Sequence, residues 1–408
     1  MTDKIANLNI LDLFKDKDLV KVCAPMVRYS KLQFRNLVKI YNCDLSFTPM
    51  ILADSFCQSE KARKNEFTTN LLDVPLITQF AANSVHDFVG AAYLSSPHCN
   101  GADLNCGCPQ RWAKEQGLGC TMLKKPELIY DIIRQCRNRI SKPFSVSVKM
   151  RLLNDLEQTV DICKQLEMCG VSFLSVHART ANQLGGDINK VVLKLIKENC
   201  NVPVIANGGI TSLEKCFELQ DETGCDGFMV ANGLLTNPTL FSGSSVTSIS
   251  CIQNWTNICY NSTIAYSNYE KELKKPKWTI SEKPYNLTFQ CFHHHLVFML
   301  EKILPRKQKQ VFNNLRTFSE VLGFLETYFN IKPQLYEPEQ FFKSVAVDVD
   351  YSGRDEVYQE LKPTEDLCFV EKEIIYDCEN TDGKYFNSKI SMEDSLDCDW
   401  SNIFFEND

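Results

Sequence analysis

The sequence lacks the features that mark a membrane or secreted protein. No apolar run among its 408 residues reaches the length of about 20 that a membrane-spanning helix requires. The first seven residues, MTDKIAN, carry an acidic side chain and no apolar segment, so we expect no secretory leader. The 19 cysteines are an odd number without regular spacing. This usage favours a reducing compartment, so we expect a cytoplasmic protein, with the nucleus as the alternative.

Two common ligand motifs are also missing. Cys106 and Cys108 form a Cys-x-Cys pair, but no second pair of Cys or His follows at zinc-ligand spacing. The first apolar run, at residues 20–27, is not followed by the Gly-x-Gly-x-x-Gly turn of a dinucleotide-binding sheet. These absences disfavour a zinc site and a doubly wound open sheet, which is the alternative to the fold predicted next.

Apolar runs of strand length alternate with helical patterns along the first part of the chain. Helix start signals stand between them, such as Ser84 before Phe88 and Ser212 before Leu213. Strands that are apolar on both faces and alternate with helices are typical of a parallel sheet covered by helices. Eight such runs predict an α/β fold, a (β/α)8 TIM barrel over roughly residues 18 to 240. The runs are 20–27, 45–51, 75–82, 101–108, 144–151, 173–179, 202–209 and 227–233.

Pattern and charge divide the rest of the chain. After residue 243 the alternation stops, and long helical patterns predict a smaller all-helical domain. Residues 337–408 hold 20 acidic and 6 basic side chains, a net charge of −14, whereas residues 1–336 hold 31 acidic and 38 basic ones, a net charge of +7. We therefore expect a catalytic barrel at residues 1–243, a helical domain at 244–336 and an acidic, partly disordered tail at 337–408. The basic body has the sign that a polyanion partner requires, although a small excess usually marks only a solvated surface.

Polar side chains stand at the carboxyl ends of the expected strands, where barrel enzymes place their active sites. Gln79 and Asn105 each offer a donor and an acceptor, and Lys149 adds a positive charge. This combination suits the pyrimidine edge of a flavin, whose reduced ring carries negative charge, and the glycine-rich turns after the last two strands suit a phosphate. Singly, such residues are more often surface or satisfied core groups. The other members of the set are Pro25, Met26, Cys108, Arg151, His177, Arg179, Asn207, Gly208, Gly209, Ala231, Asn232 and Gly233.

Cys108 ends the fourth apolar run, between Gly107 and Pro109. Glycine permits the close approach of a ligand and proline stops a strand, so we expect the thiol at the lip of the sheet. An unperturbed thiol is protonated near pH 7 and can act as a general acid. The alternative is an inert cysteine in the core, because free cysteines are among the most buried residues.

Two basic clusters with aromatic neighbours lie in the helical region, at residues 274–277 and 306–309. Such clusters either form a solvated face or contact the phosphates of a folded RNA. Three adjacent histidines, His293 to His295, point in three directions on a helix, so they cannot share one metal ion.

Six short motifs follow one another along the chain. They are APM at 24–26, LNCGCPQ at 104–110, GLGCTML at 117–123, VKMR at 148–151, VHART at 176–180 and ANGGI at 206–210. As an ordered set they resemble the tRNA-dihydrouridine synthase family over about residues 20 to 330. Residues 289–295 and 310–313 resemble the C-terminal domain of the eukaryotic branch that reduces uridines 20a and 20b of the tRNA D-loop.

The resemblance implies an enzyme that binds FMN, takes electrons from NADPH or NADH, and reduces uridine in tRNA. It implies that Cys108 protonates the uracil ring at C5 after hydride transfer to C6. The flavin contacts of the family fall on Pro25, Met26, Val27, Gln79, Lys149, His177, Asn207, Gly208, Gly209, Ala231 and Asn232, to which we add Asn105. We assign substrate binding to Asn105, Gln110, Arg151, Arg179, Lys274, Lys275, Arg306 and Lys307.

One position departs from the family pattern. Members of the family usually have arginine where this chain has Asn232, in the turn expected to hold the flavin phosphate. The loss of a charged, bidentate contact should weaken FMN binding, whereas the backbone part of the site is retained.

Two other functions stay open at this point. A barrel flavin oxidoreductase acting on a small pyrimidine or enone would fit the rim residues, but it needs no basic surface. A non-catalytic RNA-binding relative would fit the missing arginine at position 232. In each case we expect a monomer that uses neither a membrane nor a metal.

Overall fold

The computed structural model describes residues 8–183, 185–274, 287–349 and 351, and the statements below concern these residues. The strands are β1 (Val20–Cys23), β2 (Leu45–Phe47), β3 (Ile51–Leu52), β4 (Leu76–Ala81), β5 (Gly101–Cys106), β6 (Ser145–Leu152), β7 (Phe173–Thr180), β8 (Val204–Asn207) and β9 (Gly227–Val230). The helices of the first part are α1 (Ile10–Asp16), α2 (Leu32–Ile40), α3 (Ala53–Gln58), α4 (Glu60–Glu66), α5 (Val85–Ser95), α6 (Arg111–Glu115), α7 (Pro126–Arg139), α8 (Leu156–Met168), α9 (Lys190–Asn199), α10 (Leu213–Thr223) and α11 (Asn232–Thr236). The later helices are α12 (Ile249–Asn261), α13 (Tyr269–Glu272), α14 (Phe289–Leu300), α15 (Arg306–Asn313), α16 (Phe318–Phe329) and α17 (Pro338–Ser344).

Eight of the strands close into a parallel barrel. β1 pairs with β2 on one side and with β9 on the other, and β2 pairs with β4. From β4 to β9 each strand pairs with the next in chain order, and the short β3 pairs with the end of β4. A helix follows each strand except β2, which leads directly into β3, and the helices cover the outside, so the predicted TIM barrel is confirmed.

Two predicted strands are shorter than expected because of proline. The run at residues 20–27 forms strand only to Cys23, since Pro25 has no N–H to donate to a neighbouring strand. The run at residues 45–51 is divided into β2 and β3 around Pro49 for the same reason. The residues released from the first run form a loop at the mouth of the barrel.

The expected helix start signals are present. The side chain of Ser84 accepts a hydrogen bond from the backbone N–H of Asp87, and that of Ser212 accepts one from Lys215. Each cap satisfies a backbone donor at the first turn of a helix that packs on the barrel. The caps therefore fix where α5 and α10 begin after β4 and β8.

The packed chain continues past the expected domain boundary at residue 336. In α17, the side chain of Phe341 is fully buried, with its ring 4.6 Å from that of Tyr269. The backbone that follows bonds to the barrel, because Val347 N donates to Thr69 O at 2.9 Å. Tyr351 is also buried, and the Arg63 guanidinium lies 4.8 Å from the centre of its ring.

The remainder of the predicted tail, residues 352–408, lies outside the described residues, as does Lys275. No helix within the described ranges is long and apolar enough to cross a membrane.

Candidate active site

The polar residues predicted at the strand ends lie at neighbouring positions around the mouth of the barrel. In the pairing of β5 with β6, Asn105 is level with Lys149. In the pairings of β6, β7 and β8, His177 is level with Arg151 on one side and with Asn207 on the other. The closed barrel therefore brings side chains from separate parts of the sequence to one rim.

A network of buried hydrogen bonds holds the amide side chains of this rim. Gln79 Nε2 donates to Asp103 Oδ2 at 2.8 Å, and Asn105 Nδ2 donates to Gln79 Oε1 at 2.9 Å. Ser147 Oγ donates to the other oxygen of Asp103 at 2.6 Å. Since a carboxylate accepts only, Asp103 fixes which end of the Gln79 amide is the donor. Burial raises the pKa of Asp103 to about 6, partly offset by the bonds from Ser147 and Gln79 and by the charge of Lys149. Sequence reasoning did not select Asp103, because it precedes the polar end of the strand.

Cys108 lies just beyond the end of β5, and its side chain is partly exposed. Asn105 Oδ1 accepts hydrogen bonds from the backbone N–H groups of Gly107 and Cys108, at 3.2 and 2.9 Å. These bonds turn the chain out of the strand and place the thiol at the lip of the sheet, as expected. Burial raises the pKa of Cys108, so the thiol is the form present near neutral pH. The alternative for Cys108, an inert cysteine in the core, is not what the structure shows. Its neighbour Cys106 has that position, fully buried within β5.

The part of the mouth formed by β6 and β7 is rich in cations. Burial and the charges of Lys149, Arg151 and Arg179 lower the pKa of His177, so its imidazole is neutral. Arg151 Nη1 donates to the carbonyl oxygen of Thr180 at 3.1 Å, and Arg179 Nε donates to that of Gly186 at 3.2 Å. Arg151 Nη1 also donates to the carbonyl oxygen of Gln183 at 3.3 Å, so the two arginines hold the end of β7 and the loop that follows it, contacts that the sequence did not indicate. Their predicted role in substrate binding stays a prediction.

The turn after β8 is formed by two glycines with positive φ angles, a backbone geometry that leaves room for a ligand. Gly208 and Gly209 have φ angles of +113° and +67°, values that favour glycine. A Cβ on Gly208 would lie 2.9 Å from Cδ2 of His177, so only glycine permits this approach. Asn207 Nδ2 donates to Met229 O at 2.8 Å, which fixes this turn beside β9. Ala231 and Asn232, both partly exposed, start α11 after β9.

These features fit the flavin expected from the sequence. The oriented amides of Gln79 and Asn105 suit the polar edge of the ring, and the glycine turn leaves room for a phosphate. The cations around His177 supply a positive potential that suits an anionic cofactor.

The loop that follows β1 is attached to the helical region. It carries Pro25, which is partly exposed, Met26, which is buried, and Val27, which is exposed. Cys291 Sγ, on α14, donates to the carbonyl oxygen of Arg28 at 2.9 Å. The loop is therefore held in place by a helix from outside the barrel, an arrangement that the sequence did not reveal.

The three adjacent histidines of α14 have three different partners. His293 Nε2 lies 2.9 Å from Phe312 O, and His294 Nδ1 lies 3.1 Å from the hydroxyl of Tyr29. His295 Nε2 lies 3.2 Å from the carbonyl oxygen of Tyr29. Two of these histidines therefore join α14 to the β1 loop, a role that the sequence did not indicate, and His293 and His295 are also buried. Within the described ranges, no group of three or more His, Cys, Asp or Glu could hold a metal ion.

The predicted substrate-binding residues fall into two groups. Gln110, partly exposed, precedes α6 at the mouth, close in sequence to Cys108. Lys274, Arg306 and Lys307 are exposed in the helical region, the last two on α15. Helix α14 packs against α11 and against α15, so it connects the mouth of the barrel to the helix that bears these cations.

Comparison with known proteins gives a consistent result. The family model described as "Dihydrouridine synthase (Dus)" matches residues 22–322. A mouse protein named "tRNA-dihydrouridine(20a/20b) synthase [NAD(P)+]-like" is 47% identical over 320 residues, covering 78% of this chain and 92% of the mouse protein. The human protein of the same name is 46% identical, covering 79% of this chain and 94% of its own length. A fission yeast (Schizosaccharomyces pombe) protein named "tRNA-dihydrouridine(20a/20b) synthase [NAD(P)+]" is 32% identical, covering 81% of this chain and 95% of the yeast protein.

Proposed function

The chain belongs to the dihydrouridine synthase family, and from this membership we propose that it reduces uridine to dihydrouridine in the D-loop of tRNA, at positions 20a and 20b. It is a flavin-dependent oxidoreductase with FMN as its cofactor and NADPH or NADH as its reductant. The observation that carries the proposal is the placement of Cys108. Its partly exposed, protonated thiol stands at the mouth of the barrel, directly after the amide network that suits a flavin edge.

The residues at the mouth of the barrel have two roles in the proposed reaction: some bind the cofactor, and one donates a proton to the substrate. When bound, FMN supplies the hydride that adds to C6 of the uracil ring. Gln79 and Asn105, oriented by Asp103, bind the polar edge of the cofactor, and Lys149 stabilises negative charge there. Addition at C6 leaves negative charge on C5 and the C4 carbonyl. The Cys108 thiol donates the proton that C5 requires, and its S–H bond breaks as the new C–H bond forms.

The helical region is the proposed source of tRNA affinity. A uracil inside a folded tRNA is stacked, so the base must turn out to enter a barrel, and the energy must come from contacts elsewhere on the RNA. The exposed cations Lys274, Arg306 and Lys307 can contact phosphates, and α14 links their region to the β1 loop at the mouth. We propose residues 1–243 as the catalytic domain and the following helices, through α17, as the tRNA-binding region.

The pH dependence of uridine reduction follows from the thiol. An exposed cysteine has a pKa of about 8.5, and burial raises that of Cys108, so its acid form persists to higher pH. We expect the rate of tRNA reduction by pre-reduced enzyme to be constant from about pH 7 to 8.5 and to fall only above that range. Rapid mixing at a series of pH values measures this rate, with flavin reduction by NADPH as the control reaction. A decline centred below about pH 8 would contradict the assignment.

Position 232 offers a test of the phosphate turn. Asn232→Arg should tighten FMN binding by roughly 1 to 3 kcal/mol, the range for a hydrogen bond to a charged group. Titration of the apoprotein with FMN, followed by flavin fluorescence, gives the dissociation constants. Asn232→Gln is the matched control, because it lengthens the side chain without adding charge. Equal affinities for Asn232→Arg and the parent chain would mean that another residue already holds the phosphate.

The competing function is reduction of a small pyrimidine or enone. Purified enzyme with FMN and NADPH should form dihydrouridine in a full-length tRNA transcript, with the modified positions located by mass spectrometry of nuclease fragments. Free uridine at the same concentration should be reduced far more slowly, because it lacks the contacts of the folded RNA. Equal rates for tRNA and free uridine would favour the competing function. Binding of tRNA without any reduction would favour a non-catalytic relative.

We also propose that the enzyme acts as a monomer in the cytoplasm, with the nucleus as the alternative. The free cysteines throughout the described residues support a reducing compartment. Light scattering of the purified protein measures its mass, and a value of twice the chain mass of 46.7 kDa would contradict the monomer.

A further inference from the structure

Two cysteines among the described residues have partly exposed side chains. The described part of the chain holds 16 cysteines, and all are buried except Cys108 and Cys120. Cys120 has no role in the reaction proposed above. It begins the segment after Gly119, twelve positions beyond the catalytic thiol in sequence. The two partly exposed thiols of the described residues are therefore also close in sequence.

The backbones of Cys108 and Cys120 are in direct contact. Cys120 N donates to Cys108 O at 3.0 Å. The covalent bonds on either side of this contact are about 1.2 to 1.5 Å long, so the two Cα atoms lie less than about 7 Å apart, which is within the limit for a disulfide. Gly119 makes this approach possible. A Cβ at position 119 would lie 2.4 Å from Cys108 O and 2.8 Å from Cys108 Cβ, so a larger residue would separate the two segments.

We propose that Cys108 and Cys120 are a modification site at which a reversible intramolecular disulfide forms and inactivates the enzyme. The effect on activity rests on the proposed role of Cys108 as the proton donor. In the disulfide, Cys108 carries no S–H bond, so it cannot protonate C5 of the substrate. The flavin contacts on Gln79, Asn105 and Lys149 come from other side chains, so reduction of FMN by NADPH continues.

A small disulfide such as oxidised glutathione supplies the oxidising equivalents. The thiolate of Cys120 attacks one sulfur of the reagent, forming a mixed disulfide and releasing one glutathione thiol. The sulfur of Cys108 then attacks the mixed disulfide at the Cys120 sulfur, loses its proton to solvent and releases the second glutathione. Two protein thiols are oxidised, and one glutathione disulfide is reduced to two thiols. Burial raises the pKa of Cys108, which disfavours it as the first nucleophile.

Cys106 is the other cysteine that could form a disulfide with Cys108, but its position in the structure disfavours this pairing. It is only two residues from Cys108, but its side chain is fully buried within β5. Burial also raises its pKa, so it forms little of the thiolate that exchange requires. Cys106→Ser therefore serves as the matched control for Cys120→Ser.

The experiment uses the purified full-length holoenzyme. The protein is incubated with oxidised glutathione, free thiols are alkylated, and tryptic peptides are examined by mass spectrometry before and after reduction. We expect a linked pair of peptides that contain Cys108 and Cys120, and dihydrouridine formation reduced by roughly tenfold or more and restored by dithiothreitol. The linked pair should persist in Cys106→Ser and disappear in Cys120→Ser, which should keep its activity in the presence of the oxidant. Cys120→Ala provides a second variant if the serine destabilises the fold.

Three results would overturn the proposal. The first is the absence of a link between Cys108 and Cys120 under conditions that alkylation shows to oxidise both thiols. The second is equal inactivation of Cys120→Ser with glutathione attached to Cys108. The third is a linked enzyme that forms dihydrouridine at the normal rate. The third result would also remove Cys108 from the proposed mechanism, whereas the first two leave that mechanism intact. Peptide masses report the link even if the untreated enzyme proves inactive on tRNA, so failure of the proposed function is distinguished from failure of the site.

Discussion

Replacing Cys108 with alanine is expected to slow dihydrouridine formation by on the order of 100-fold or more, with FMN binding and reduction by NADPH unchanged. The alanine removes the proton donor at the lip of β5 and leaves the amide network of Gln79, Asp103 and Asn105 in place. Two bonds to Asn105 Oδ1 come from backbone N–H groups, so the turn that positions residue 108 also survives the substitution. The loss should therefore appear only in the half-reaction that involves tRNA.

Stopped-flow absorbance separates the two half-reactions. Oxidised enzyme mixed with NADPH reports flavin reduction, and pre-reduced enzyme mixed with tRNA reports flavin reoxidation. Cys106→Ala is the matched control, since this neighbour is buried and should tolerate alanine with full activity. Equal losses in both half-reactions of Cys108→Ala would show that the residue supports the flavin site rather than the proton transfer.

Neutralising the exposed cations of the helical region should weaken tRNA binding. If Lys274, Arg306 and Lys307 each contact a phosphate, the triple substitution to glutamine removes three contacts. The dissociation constant should rise on the order of 100-fold near 0.1 M salt, and the slope of its salt dependence should fall by roughly one unit per contact. Flavin reduction by NADPH involves no RNA and should be unchanged. Lys309, in the same cluster, is excluded because it pairs with Glu301 at 2.5 Å.

A matched triple variant tests whether any loss of charge has the same effect. Arg134 and Arg139 are exposed on α7, and Lys142 is exposed in the turn before β6, on the side opposite the mouth; their substitution by glutamine should leave tRNA affinity within about twofold. Equal effects of the two triple variants would show that the helical cations are only a solvated face.

The acidic tail provides a further comparison. Residues 352–408 hold 16 acidic and 5 basic side chains, a net charge of −11. Their deletion removes charge that competes with phosphate for the basic surface, so tRNA affinity should be equal or slightly higher. The deletion starts after Tyr351, because α17 and the buried Tyr351 pack on the rest of the protein. A loss of affinity would assign tRNA recognition to the tail.

The sequence predicted the barrel because its signal is local. Each apolar run and each helix cap, such as that at Ser84, lies within a few neighbouring residues. Prediction of the rim followed from the fold alone, since all parallel strands of a barrel end at one mouth. The exact strand ends were less accurate. Proline, which has no N–H to donate, interrupts the runs at 20–27 and 45–51, and the runs at 101–108, 202–209 and 227–233 form strand only over Gly101–Cys106, Val204–Asn207 and Gly227–Val230.

Contacts between distant segments could not be predicted. Asp103 reaches Gln79 and Ser147, which are 24 and 44 residues away, and only closure of the barrel joins them. Tyr29 and His294 are 265 residues apart, so the attachment of α14 to the mouth has no local signal. The proximity of Cys108 and Cys120 likewise depends on the turn at Gly119.

The most direct test of the account is a single turnover without oxygen. Enzyme whose FMN has been reduced by one equivalent of NADPH is mixed with unmodified tRNA, and flavin absorbance and dihydrouridine are followed together. The account predicts that tRNA reoxidises the flavin and that one dihydrouridine appears per flavin, at position 20a or 20b. A flavin that stays reduced in the presence of tRNA, but is reoxidised by free uridine or a simple enone, would contradict it.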